Sequence, residues 1–188
     1  MRLPIGISNR HVYLSQVDVE KLFGRWYQLT KLRDMTQPGQ FACNETVILS
    51  WPNGRINTVR VVGPTRKESH VEILMWDNFV LGTQAPVRSP RNFTEGENII
   101  IIGPEWEFYL SHNMIVAQRH LHCTTKEAIE MWLKNWDKIK IKISWPRGLI
   151  FEEVLVMTKD DYILDFHIDI EEANAAWVSK GGRWEIVK

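Results

Sequence analysis

The side chains best suited to chemistry in this chain are six histidines, two cysteines and a run of carboxylates toward the C-terminal end. His120-Leu121-His122-Cys123 sets two imidazoles two residues apart. At the period of a strand both leave the same face, and Cys123 or His112 can add a further donor of the kind zinc takes. Four donors at an established zinc spacing are not present, and histidines at strand ends ordinarily meet solvent or a neighbouring carbonyl. The sequence therefore assigns no metal. Cys43 can act as a nucleophile if a nearby cation or helix dipole lowers its thiol pKa. An inert buried thiol and a Cys43–Cys123 bridge are the competing readings, and all three stay open. Asp160, Asp161, Asp165, Asp169, Glu171 and Glu172 lack the glycine and the spaced oxygens of a calcium loop, so they read as a solvated turn and a helix cap. With no glycine-rich phosphate loop, no Gly-x-Ser-x-Gly elbow and no zinc-protease helix, the motif-bearing enzyme classes gain no support and no cofactor is expected.

Composition narrows the setting of these groups. At 188 residues, 44% hydrophobic and 24% charged, the chain can bury a continuous core and reads as a single domain over residues 1–188. Lys plus Arg equals Asp plus Glu at 23 each, so there is no basic field and nucleic acid is not an expected partner. No run of 18 apolar residues occurs and residues 1–10 lack an apolar signal core, so no membrane span is expected and the chain reads as soluble. Its location is left open: secreted if a leader has been removed, cytoplasmic otherwise. The sequons at Asn44 and Asn92 read as chance. Nine Trp and seven Phe imply heavy aromatic packing, an aromatic-lined cavity, or both.

The elements that must position these residues are mostly strands. Asp18–Phe23 reads as a helical turn that Gly24 can end, with a strand following over Trp26–Leu32. Phe41–Trp51 and Arg55–Val62 form a hairpin across Pro52-Asn53-Gly54. Val71–Trp76, Phe79–Thr83, Asn98–Ile102, Trp106–Ser111 and Met114–His120 continue as short strands between turn residues. Thr124 and Glu127 supply a capping box, and Ile129, Trp132, Leu133 and Trp136 recur at helical spacing. Lys138–Ile143 alternates strictly, so Ile139, Ile141, Ile143 and Trp145 share one apolar face that must be covered, and the segment is expected to add a strand to the barrel wall or to pair with a returning strand over Leu149–Met157. Asp169 caps a last helix carrying Ala173, Ala176 and Trp177, Gly181-Gly182 ends it, and Arg183–Val187 closes as a strand.

A succession of about eight short strands favours a closed up-and-down barrel, with a sandwich as the structural alternative. Asp18-Val19-Glu20-Lys21-Leu22-Phe23-Gly24-Arg25-Trp26-Tyr27 resembles the first lipocalin motif, in which a short helix leads through Gly-x-Trp-Tyr into the first barrel strand. Phe41–Thr46 and Asn53–Ile56 fall where that family has its second and third strands. Gly103-Pro104-Glu105-Trp106 loosely echoes the middle motif, and Met114–Arg119 before a capped helix is similar to the family's eighth strand. The resemblance spans Asp18–Trp136. It implies a mainly β, antiparallel lipocalin-like barrel with a packed helix over 18–136, extended by an α/β segment over 137–188 that lipocalins lack. It also implies a structural set of Gly24, Trp26 and Arg119, with Arg119 stacked across Trp26 at the barrel floor.

The function so implied is non-catalytic: a carrier that sequesters a small hydrophobic molecule, with Trp51, Trp76, Phe79, Trp106 and Phe108 as wall residues. A lipocalin-like enzyme or chromophore lyase acting on a hydrophobic substrate is one rival. A filled barrel serving protein interaction or a viral structure is the other, with the extension over 137–188 as a surface for homo-oligomer formation.

Overall fold

A computed structural model describes residues 4–144, 146–178 and 183–187. In chain order the first elements are β1 (Ile5–Ser8), β2 (His11–Tyr13), α1 (Gln16–Phe23), β3 (Lys31–Asp34), β4 (Phe41–Trp51) and β5 (Gly54–Gly63). Then come β6 (His70–Ile73), α2 (Asp77–Leu81), β7 (Val87–Arg88), β8 (Glu97–Ile102), β9 (Glu107–Ala117) and β10 (His120–Cys123). The last are α3 (Thr125–Glu130), β11 (Lys138–Ile143), β12 (Ile150–Thr158), β13 (Asp165–Asp169), α4 (Ile170–Ala175) and β14 (Trp184–Val187). The protein is mainly β and divides into two compact units. One comprises Arg10–Met35 and Gly39–Ala117, the other Met1–Asn9, Thr36–Pro38 and Gln118–Lys188, so the stretch Gln118–Trp136 belongs with the tail.

The first unit is a closed barrel of six strands. β4 pairs antiparallel with β5, β5 parallel with β2, β2 antiparallel with β6, and β6 parallel with β9. β9 then pairs antiparallel with β8, which returns to β4 and leaves no open edge in the ring. β3 and β7 lie along β4 and β9 respectively. The β-branched residues of β4, β5 and β8 favour the pleated conformation, and Val47, Val59, Val61, Ile99 and Ile101 form the core with Leu49 and Met114.

In the second unit a mixed sheet runs β1-β13-β10-β12-β11-β14. It curls until its two end strands approach: the Trp184 indole Nε1 on β14 donates to the carbonyl of Pro4, just before β1, at 3.2 Å. Leu121, Ile141, Ile143, Phe151, Phe166 and Ile168 make its core. The alternation of β11 is realised: Ile141 and Ile143 are buried, while Lys138, Lys140 and Lys142 face water and pair with Glu153, Glu152 and Glu185. Each buried isoleucine contributes about 1.5–3 kcal/mol over exposure. β12 pairs antiparallel with β11 as expected, with Ile139 opposite Val154 and Ile141 opposite Phe151. Trp145 and Gly181-Gly182 lie outside the described residues.

Several expectations change. The fold is not the antiparallel up-and-down barrel of a lipocalin, because five strand pairs of the two sheets (β2·β5, β6·β9, β7·β9, β10·β12 and β1·β13) run parallel. Of Trp26–Leu32 only Lys31 and Leu32 lie in a strand, at the start of β3. Trp26 sits at φ 67°, and the Glu45 carboxylate accepts from the Tyr27 hydroxyl and from Thr30 N and Oγ1, replacing a sheet ladder there. Phe79–Leu81 is the end of α2 rather than a strand, stopped by Gly82 in the left-handed conformation, while Asp77 accepts from Leu74 N and Arg10. The two strands expected over Trp106–Ser111 and Met114–His120 are largely one strand, β9 (Glu107–Ala117), which His112 crosses at φ 57°, while His120 opens β10. The helix after Thr124 has its capping box but ends at Glu130, and Trp132 (φ 61°, 93% exposed) and Trp136 (φ 73°) reverse the chain instead of extending a stripe. Cys43 and Cys123 are free, buried thiols rather than a bridge.

Candidate metal centre

Strands β10 and β13 pair antiparallel with His120 opposite His167 and His122 opposite Asp165. Because side chains alternate along a strand, all four leave one face of the sheet, and Leu121 and Phe166 between them leave the other. Both of those are fully buried, which anchors the pair of strands and fixes the direction of the polar side chains. Each imidazole is held by its neighbours. His120 stacks on His167 with ring centroids 4.8 Å apart, His122 meets His120 edge-on at 4.5 Å, and Tyr162 meets His122 edge-on at 4.6 Å.

One nitrogen of each of His120, His122 and His167 lies within 4.8 Å of the others, the one such group of three or more donors among the described residues. His120 Nδ1 is 2.8 Å from the carbonyl of Gln118; a carbonyl only accepts, so Nδ1 carries the proton and Nε2 keeps its lone pair for a ligand. Three imidazole donors suit zinc and similar divalent ions. Nitrogens at about 2.0–2.1 Å from a tetrahedral ion stand roughly 3.3 Å apart, so side-chain rotations of about an ångström bring the set together. The residues fit such an ion.

The chain is similar along nearly its whole length to enzymes of one kind. Residues 4–179 match the family model described as PTAC: Phosphate propanoyltransferase. A phosphate propanoyltransferase of Thermotoga maritima is 43% identical over 98% of this chain and 88% of its own length. Those of Enterococcus faecalis and Rhodobacter capsulatus are 39% and 40% identical, covering 98% and 92% of this chain and 87% and 80% of their own lengths. The chain belongs to the phosphate propanoyltransferase family. Membership of that family overturns the lipocalin assignment and the non-catalytic carrier reading drawn from it, along with the hydrophobic molecule as partner. The lipocalin resemblance rested on short motifs whose local structure is different here.

Gly24, Trp26 and Arg119 show the difference. Gly24 ends α1 at φ 105°. A Trp closing a barrel floor would be buried, but Trp26 is 72% exposed, with the Arg25 guanidinium over its ring at 4.9 Å. Arg119 Nε lies 2.8 Å from Glu172, and its guanidinium lies over Phe151. Trp76, Phe79 and Trp106 are exposed, and the Trp76 and Phe79 rings meet at 5.2 Å; Trp51 and Phe108 are half-buried against the barrel core. Cys43 and Cys123 are pushed up to about 11 by burial, with Glu45 and Glu127 adding to the respective shifts.

His167 was not singled out by the sequence reading, nor was a second polar group in the barrel unit of this propanoyltransferase-family chain. There the Glu72 carboxylate on β6 stands 3.4 Å from His11 Nε2 and 3.5 Å from His70 Nε2. His70 is itself sandwiched between Tyr13 at 4.6 Å and Phe93 at 4.2 Å. A signal for all of these is present: His11-Val12-Tyr13, His70-Val71-Glu72, His120-Leu121-His122 and Asp165-Phe166-His167 each set a fully buried apolar residue between two polar ones. On a strand that triplet anchors one face and presents paired polar groups on the other.

Proposed function

We propose that this protein transfers a propanoyl group between coenzyme A and phosphate: propanoyl-CoA + phosphate ⇌ propanoyl phosphate + CoA. The observation that carries the reading is the family match over residues 4–179, at a point where the fold also presents a three-histidine donor set. In the forward direction a phosphate oxygen attacks the thioester carbonyl, the C–O bond forms, the C–S bond breaks, and CoA leaves as a thiolate. When bound at His120, His122 and His167, a divalent ion would act as a Lewis acid toward the carbonyl oxygen or the departing sulfur.

The rest falls to the chain's own atoms. His120 keeps its Nε2 lone pair outward by donating Nδ1–H to Gln118, so that imidazole needs no proton change to serve as a ligand. Burial of His120 and His122 keeps water off the donor nitrogens, which strengthens each electrostatic contact made there. An acyl-cysteine route is disfavoured, since thiols held at about 11 are thiolate in only about one molecule in ten thousand at pH 7. Direct transfer to phosphate is therefore the simpler course. The test is phosphate-dependent release of CoA from propanoyl-CoA by the purified, metal-supplied protein, with release expected to vanish when phosphate is omitted. Release independent of phosphate, or none at all, would refute the reading.

A further inference from the structure

We infer that Asp165 is a positioning residue for the histidine set: its carboxylate takes the Nδ1–H of His167 and so turns His167 Nε2 toward the metal position. The inference rests on the metal-centre reading and goes one shell beyond it. Asp165 is 1% exposed, yet neither carboxylate oxygen accepts a hydrogen bond among the described residues. A buried carboxylate without donors is costly, so its retention calls for a use. A suitable donor stands beside it, because His167 Nδ1 is 3.7 Å from Oδ2. That is too long for a hydrogen bond and short enough for a small ring rotation to make one, as happens when sites tighten around their ligands.

The surroundings keep this contact available. Gly6 on β1 is the Cα partner of His167. A Cβ at Gly6 would overlap the Asp165 carboxylate and sit 2.9 Å from His167 Nδ1, so the space over the pair exists only because residue 6 is glycine. The acceptors also have a division of labour. His120 has its Nδ1 held by a backbone carbonyl, whereas His167 faces a carboxylate, which once engaged would fix the ring's tautomer and orientation.

The test is a Co2+ titration followed by the visible ligand-field bands, on the full chain and on the variants Asp165→Leu, Asp165→Asn, Gly6→Ala and His120→Ala. The leucine variant removes the acceptor in a similar volume and is expected to bind Co2+ about 10–100-fold more weakly. Asparagine retains an acceptor oxygen and is expected to recover most of that loss, with urea midpoints of the two variants showing that the difference in Co2+ binding does not follow their stability. Gly6→Ala, which displaces the carboxylate without touching it chemically, should weaken binding at least about tenfold with an altered spectrum; it decides the matter if the leucine variant fails to fold. His120→Ala reads the underlying centre: wild-type binding there would refute the metal-centre reading itself. If His120→Ala abolishes binding while the leucine and Gly6→Ala variants titrate like wild type, the role of Asp165 is overturned and the centre stands. Equal losses in the asparagine and leucine variants would likewise overturn it.

Discussion

Leu121→Ala probes whether the packing under the histidines sets their direction. Leu121 is fully buried between His120 and His122, and its Cα partner on β13 is Phe166, also fully buried. Truncation removes most of a transfer term of about 1.5–3 kcal/mol. The void closes poorly, because β10 is held on both sides, parallel by β12 and antiparallel by β13, so a cavity term adds to the loss. The expected destabilisation is about 3–4 kcal/mol, in the upper part of the Leu→Ala range. Urea unfolding followed by circular dichroism reads it, with Ile129→Ala, at 68% exposure, as a control within about 0.5 kcal/mol of wild type. Because Leu121 leaves the opposite face, the folded variant should still bind Co2+ with the wild-type stoichiometry. A loss below about 1 kcal/mol would refute the reasoning, since it would mean that the alternation on β10 does not bury Leu121 and so does not fix the histidine face.

Four further outcomes are expected. Trp132→Gly should be neutral or stabilising by up to about 1 kcal/mol in the same unfolding assay, because a non-glycine residue at φ 61° with its side chain in water gives up little; a loss above about 2 kcal/mol would restore the buried-stripe reading. The two thiols hold their protons in the fold up to about 11 against an ordinary 9, so above pH 9 the unfolded chain releases them first; stability should fall between about pH 9 and 11, and the Cys43→Ala/Cys123→Ala double variant should flatten that fall. Glu172 is raised by burial, opposed by Arg119 and the Asp169 N–H, so its contribution is full below the usual carboxylate range and fades as pH rises through its folded pKa; Glu172→Gln, which keeps an acceptor for the capping box, should remove that pH dependence in urea midpoints. Thr124→Ala should cost about 1 kcal/mol by removing the α3 cap, measured in the same way.

How much of this was legible in the sequence depends on how local the determinant is. The hairpin across Pro52-Asn53-Gly54, the Thr124 capping box, the Asp169 cap and the Lys138–Ile143 alternation follow from turn chemistry, caps and the two-residue period, and the fold contains them. Parallel pairing was not legible, because β2 and β5, or β10 and β12, are joined across long stretches of chain and no local signal specifies their register. Positive φ at Trp26, Trp132 and Trp136 was also hidden, since bulky residues rarely adopt it and their spacing imitated a strand and a helix stripe. His120 and His122 were visible as a pair. His167 entered the set only through the β10·β13 register, and Asp165 read as solvated because it was taken together with exposed Asp160 and Asp161. A glycine, a Trp and a Tyr beside a short helix are too few residues to specify a family.

The most direct test of the account is the initial rate of CoA release from propanoyl-CoA, with and without phosphate, for the metal-supplied wild type and its His122→Ala variant. The protein's own thiols are buried, so a thiol-reactive dye reports the released CoA on the native enzyme. The account predicts phosphate-dependent release by the wild type and a loss of about a hundredfold or more in the variant, whose donor set is broken. Equal rates in the two proteins, or release by the wild type that does not depend on phosphate, would contradict it.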